Sequence, residues 1–80
     1  MTDEDRLSKV RGAFQAAFGA DPALVTPTST PDQIPGWDSL GHAVLVTQLE
    51  QAFGVTFELD EIMDMEDVKA ILAIVAKRTG

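Results

Sequence analysis

Pro35-Gly36-Trp37-Asp38-Ser39-Leu40-Gly41-His42 is the stretch from which the rest of the chain can be read. A Pro-Gly pair makes a turn, and Asp and Ser directly after it are residues that open helices. Beyond them Leu45, Leu49 and Phe53 recur at helical spacing until Gly54. The segment therefore predicts a helix from Asp38 or Ser39 to about Phe53, with Ala43, Val46 and Ala52 supporting its core face. A serine at such a start does one of two physical jobs. Its hydroxyl caps the free backbone N–H groups, or it carries an anionic group that those N–H groups and the helix dipole stabilise. On helix physics alone the cap is the commoner outcome.

Upstream, residues 19–37 lose all periodicity. Pro22, Pro27, Pro31 and Pro35, with Thr26, Thr28, Ser29 and Thr30 among them, exclude a long helix or a central strand. So long a connection implies function or disorder. The expectation is an ordered loop with a short helical turn near Asp21 to Leu24, pinned by Leu24, Val25 and Ile34. Before it, Leu7, Val10, Phe14, Ala17 and Phe18 predict an amphipathic helix over Asp3–Phe18, capped by Thr2 and ended by Gly19.

Downstream, Phe57, Leu59, Ile62 and Met63 predict an extended connection into a short helix around Leu59–Met63. Val68, Ile71, Leu72 and Val75 follow the i, i+3, i+4, i+7 template of a last helix from about Glu66 to Arg78, with acids in its first turn and Lys77 and Arg78 in its last. The fold class is thus all-α: one domain over residues 1–80, a small bundle of three longer helices and a short third one, with a long Pro-rich loop between the first two.

Composition removes several function classes. Apolar residues make up 45% of the 80 residues, too many for a disordered chain. No apolar run is long enough to span a membrane, and the charged N-terminus is unlike a signal peptide. Cysteine is absent, so any thiol chemistry must arrive on a cofactor. These absences fit a cytoplasmic protein, and a monomer is expected. The net charge is −7, and every Lys and Arg lies before Gly12 or after Val68. The acidic middle would repel nucleic acid and anionic membrane surfaces and attract basic protein partners.

Gly36-Trp37-Asp38-Ser39-Leu40 resembles the Asp-Ser-Leu attachment motif of the acyl carrier protein family. The resemblance extends over Leu45, Leu49 and Phe53 after the serine, over Gly54-Val55-Thr56-Phe57, and over the short third and final helices. It implies that Ser39 carries a covalent 4'-phosphopantetheine arm, placed there from coenzyme A by a phosphopantetheinyl transferase. The arm's thiol would hold acyl groups as thioesters for an acyl-loading enzyme and for acyl-processing or acyl-transfer enzymes, the chain itself catalysing nothing. Asp38 would help position the arm and the modifying enzyme. Leu45, Ile62 and Met63 would line an acyl pocket between the second and third helices, although ordinary core packing is the default reading of each. Trp37, the one tryptophan, is expected to anchor the loop in the core.

The chain departs from the family where many fatty-acid-synthesis carriers are acidic. It has Gly41 and Val44 at those positions, and Gly41 is expected to loosen the first turn of the helix. Its acids cluster instead at Glu58, Asp60, Glu61, Asp64, Glu66 and Asp67. The expected partner surface combines apolar Leu40 and Val44 with Glu58, Asp60 and Glu61. This lean is towards a specialised lipid, polyketide or similar pathway, with a peptidyl or aminoacyl carrier as the alternative. A small acidic helical adaptor without a prosthetic group would share the bundle and the charge, but gives no reason for a serine at that helix start. A hydrolase would need a base beside Ser39, and His42, the one histidine, reads as a surface side chain. An EF-hand loop from Asp60 fails because Ile62, Met65 and Ile71 fall where a ligand, a glycine and a glutamate are required, though weak surface binding of divalent cations remains an expectation.

Overall fold

The computed structural model describes residues 2–79. It contains four α-helices, α1 (Asp3–Phe18), α2 (Ser39–Phe53), α3 (Leu59–Asp64) and α4 (Val68–Thr79), and no strand among the described residues. The bundle read from the sequence is the bundle observed. Each boundary has a local cause. Thr2 and Asp5 exchange side-chain and backbone hydrogen bonds at the start of α1, with Asp5 N–H to Thr2 Oγ1 at 3.1 Å. This reciprocal box satisfies two N–H groups that a helix start otherwise leaves bare. Gly19 and Gly54 end α1 and α2 at φ of 68° and 66°, where a side chain would be strained.

Two expectations about α4 need correction. The helix opens at Val68, two residues later than Glu66. The reason is that Asp67 acts as its cap, its Oδ1 accepting from the Ala70 amide at 2.8 Å, so the expected first-turn acids precede the helix. Lys77 and Arg78 do lie in the last turn.

The core is built where α1, α2 and α4 meet. Phe14, Leu45, Leu49, Ile71 and Val10 are fully buried there, and Phe14 packs edge-on to Trp37 with ring centroids 5.0 Å apart. This edge-to-face contact fixes the loop to α1, which is the anchoring role expected of Trp37. Ala43, in contrast, is exposed and supports no core face.

The long loop is ordered by polar and apolar ties together. It contains the expected turn at Pro22–Leu24 and a second at Pro31–Gln33. Val25 and Ile34 are buried, but Leu24 is 71% exposed and pins nothing. Arg11 Nε donates to the Val25 carbonyl at 2.7 Å, and the Val68 amide donates to the Ser29 carbonyl at 3.1 Å. The loop is thereby tied to α1 on one side and to α4 on the other.

α3 is the least embedded element. None of its residues is fully buried, and Leu59 and Met63 face solvent. Its apolar anchorage is limited to half-buried Ile62 packed against the core, with buried Phe57 and Met65 on either side of the helix, and polar contacts add to it. No helix among the described residues is long and apolar enough to cross a membrane.

Candidate functional site

At the start of α2 the capping job falls to the residue before the serine. Asp38 is the cap: its backbone is extended (φ −121°) and its Oδ1 accepts from the Gly41 amide at 2.8 Å. Ser39 is therefore the first helical residue, exposed, and its Oγ makes no hydrogen bond among the described residues. Neither the Ser39 nor the Leu40 amide has an acceptor among those residues. These are the N–H groups that, with the dipole of a helix of 15 residues, stabilise an anion at this end. Ser29 shows the opposite arrangement. It is 3% exposed, its Oγ accepting from the Thr26 amide at 3.0 Å and donating to the Leu24 carbonyl at 3.3 Å.

Gly41 does not loosen the turn as expected. A Cβ at this position would lie 1.8 Å from the Gly36 carbonyl oxygen and 2.8 Å from Phe18. The absence of a side chain is what lets the first turn of α2 settle against the preceding loop. An acidic side chain at position 41 has no room in this packing. Gly36 itself, at φ 92°, supplies the bend that brings its carbonyl there.

His42 is not the surface side chain that its position implied. It is part-buried and bridges two elements. Trp37 Nε1–H, which can only donate, gives its hydrogen to His42 Nδ1 at 2.8 Å. Nδ1 must then be unprotonated, so the ring hydrogen sits on Nε2 and is donated to the Ile62 carbonyl at 2.9 Å. The two rings stack at 6.2 Å with 15° between their planes. With both nitrogens committed, His42 offers Ser39 no general base.

A groove of about 340 Å³ opens beside the serine, lined by Ser39, Asp38, Trp37 and His42 on one side and Ile62, Met63 and Met65 on the other. Two of the three expected pocket residues, Ile62 and Met63, are brought to it. Leu45 is not: it is fully buried in the core and does not reach the groove. Met63 is 68% exposed and forms part of the groove's outer edge.

The expected partner surface is present only in part as imagined. Leu40 (84% exposed) and Val44 (47% exposed) project from the same end of α2 as Ser39, and Glu58 and Asp60 are exposed. Glu61 is committed elsewhere. It forms a two-point pair with the Arg78 guanidinium, Nε to Oε2 at 3.0 Å and Nη2 to Oε1, and also accepts from the Glu58 amide at 2.9 Å. The hydrogen bonds from Arg78 and from Glu58 lower its carboxyl to about 2 from the ordinary 4.5. No group of three or more acidic or histidine side chains among the described residues is arranged to hold a metal ion. Sequence reasoning missed Gly41, His42 and Arg78. The signals were a glycine within a helix's first turn and a lone histidine shortly after the lone tryptophan.

A helical bundle that presents one unengaged hydroxyl at a helix start, beside a groove and with no base aimed at it, has the form of a covalent carrier. Residues 8–75 match the family model described as the phosphopantetheine attachment site, and the chain belongs to that family. It is a phosphopantetheine carrier, and its prosthetic group is covalent 4'-phosphopantetheine. The residues at the start of α2 fit such a group: an accessible oxygen to esterify, free amides for a phosphate, and a groove alongside. Over 68 residues the chain is 35% identical to the non-reducing polyketide synthase pkdA of Emericella nidulans, an overlap of 85% of this chain and 3% of that protein.

Proposed function

We propose that Ser39 Oγ is the attachment point and that the chain carries acyl groups between partner enzymes. The observation that carries this reading is the unengaged, exposed hydroxyl on the first residue of α2, within the stretch that matches the family. A phosphopantetheinyl transferase acting on coenzyme A takes the hydroxyl proton as Oγ bonds to the phosphorus that bears the pantetheine. The pyrophosphate P–O bond breaks, adenosine 3',5'-bisphosphate leaves, and Oγ becomes an ester oxygen of a phosphodiester. The bound arm supplies a terminal thiol on which acyl groups are held as thioesters. This chain's own residues do the positioning. Asp38 holds the helix start open by capping Gly41, while the Ser39 and Leu40 amides face the phosphate's end of the dipole.

Exposed Leu40 and Val44 provide an apolar contact for partner enzymes, and Glu58 and Asp60 provide charge that steers basic surfaces towards it. Likeness to part of a polyketide synthase supports polyketide-type acyl cargo, with acyl-loading and acyl-processing enzymes as the partners. The test is incubation of the chain with coenzyme A and a broad-specificity transferase, followed by intact mass. A gain of one phosphopantetheine, absent from Ser39→Ala, supports the reading. An unchanged wild-type mass with a competent transferase, or modification that survives Ser39→Ala, refutes it.

A further inference from the structure

The polar bridge at His42 has a consequence for the groove. α3 forms one wall of that groove through Ile62 and Met63, yet no residue of α3 is fully buried. Besides the packing of half-buried Ile62 against the core, it is held by a few polar ties, chiefly Glu61 to Arg78 on α4 and the Ile62 carbonyl to His42 on α2. The second tie is the one that lies at the groove. His42 in turn is oriented by Trp37, which is buried and fixed against Phe14. A continuous path of contacts thus runs from the core, through Trp37 and His42, to the wall of the groove.

We propose that His42 is a positioning residue that latches α3 against α2, and that protonation of its ring releases the latch and opens the groove beside Ser39. The functional weight of this rests on reading Ser39 as the attachment residue, because the groove is the space next to that hydroxyl. The chemistry needs no partner. Trp37 Nε1–H can bond to Nδ1 only while Nδ1 keeps its lone pair. A proton on Nδ1 places two N–H groups face to face, and the ring loses the contact that aims Nε2 at the Ile62 carbonyl. The latched state binds one proton fewer, so it is favoured at high pH and weakened as pH falls. Imidazole is the side chain whose ordinary charge change lies within the physiological range.

The ring sits among mostly uncharged groups. From the loop the ring meets Trp37 and Pro31, from α3 Ile62 and Met63, and beyond it Met65, all uncharged. From the cap of α2 it shares the groove with Asp38, the one carboxylate lining it.

The experiment is an NMR titration of the full chain without the arm, from about pH 8 to about pH 5. It follows the His42 ring, the Trp37 indole N–H and the Met65 amide, which itself donates to the Ile62 carbonyl at 3.3 Å. The expected result is one shared midpoint for all three. A ring that titrates without moving the other two, or does not titrate in this range, overturns the proposal. His42→Ala should speed hydrogen exchange at Met65 about fivefold, the loss expected for one hydrogen bond. His42→Gln, which keeps an amide able to donate and accept, should restore part of that protection and abolish the titration of the indole. Equal exchange in the two variants overturns the latch, and should either fail to fold, the wild-type titration decides alone. Loading of Ser39 is scored separately by mass, so a chain that loads but shows no shared titration refutes the latch alone. A chain that titrates as expected but cannot be loaded refutes the attachment reading alone.

Discussion

α2 and α4 start in nearly the same way and serve opposite purposes. Each is capped by an aspartate, Asp38 or Asp67, whose Oδ1 accepts from an amide three residues on at 2.8 Å. After the cap the two diverge. The first residue of α4 is Val68, fully buried, with its amide donated to the Ser29 carbonyl. The first residue of α2 is Ser39, exposed, with no partner for its hydroxyl or amide among the described residues. A capped helix start is therefore not a site in itself. What distinguishes α2 is that its first residue has been left without internal work, while that of α4 is consumed in holding the loop.

The largest effect expected from this contrast is all-or-none. Ser39→Ala should abolish pantetheine loading measured by intact mass while leaving the melting temperature within about 3 °C, as for surface changes away from special features. Ser29→Ala should do the reverse. Loading persists, but stability falls by about 1–3 kcal/mol in urea unfolding, because the Leu24 carbonyl and Thr26 amide lose their partner in the interior. Loading at a residue other than Ser39 would erase the distinction drawn between the two helix starts.

Next in size is the third residue of each helix, Gly41 in α2 and Ala70 in α4. An alanine normally stabilises a helix relative to glycine by up to about 1 kcal/mol. At Gly41 the sign should reverse, since the added carbon meets the Gly36 carbonyl oxygen, and Gly41→Ala should cost about 3 kcal/mol, the upper part of the usual range for overpacking. Gly12→Ala, where nothing lies within 4 Å of the added carbon, should show the normal stabilisation. Urea unfolding of both variants decides whether the close approach at Gly41 is real.

These cases show what in the chain was legible from its sequence and what was not. α1 could be placed at Asp3–Phe18, and α2 at its observed start and end, because periodicity and terminal glycines are local signals. Ser39 stood out because its neighbours Trp37, Asp38 and Leu40 are adjacent in sequence. His42, Gly41 and Glu61 were misjudged because each acquires its role from a distant or backbone partner: the Ile62 carbonyl, the Gly36 carbonyl and Arg78. Leu45, named as a pocket liner with core packing as its default reading, follows the default and is fully buried in the core. Long-range polar pairing leaves no periodic trace, so it is read only once the fold is in hand.

A smaller effect separates the two caps themselves. Asp67→Ala and Asp38→Ala should each lower stability by about 1 kcal/mol, the usual cost of removing a cap. Asp38→Asn keeps the cap, since asparagine is as good a cap as aspartate, and removes only the charge beside Ser39. If the charge matters to the modifying enzyme, loading by the transferase should slow in Asp38→Asn with the melting temperature preserved. Asp67→Asn should load at the wild-type rate. Equal loading rates in both would reduce Asp38 to a cap like its counterpart.

The smallest effect lies at the other end of α4, where Arg78 holds α3 through Glu61. The Arg78 hydrogen bonds, then the Glu58 amide, hold the Glu61 carboxyl at about 2, below its ordinary 4.5. A folded-state value that is depressed means the folded chain releases this proton more readily than the unfolded one. The contribution is therefore complete above pH 4.5 and fades as pH falls from there towards 2, the reverse of a group with a raised value. Melting temperatures of wild type and Glu61→Gln should differ above this window and converge through it. The pair is solvent-screened, so the difference should be small and should shrink further in high salt. Because this tie and the His42 tie hold α3 to different helices, amide exchange across Leu59–Asp64 should rise in two steps rather than one as pH falls, the step below pH 4.5 belonging to the α4 side. A single step would mean that α3 leaves the bundle as a unit, and that the two sides of the groove wall are not held independently.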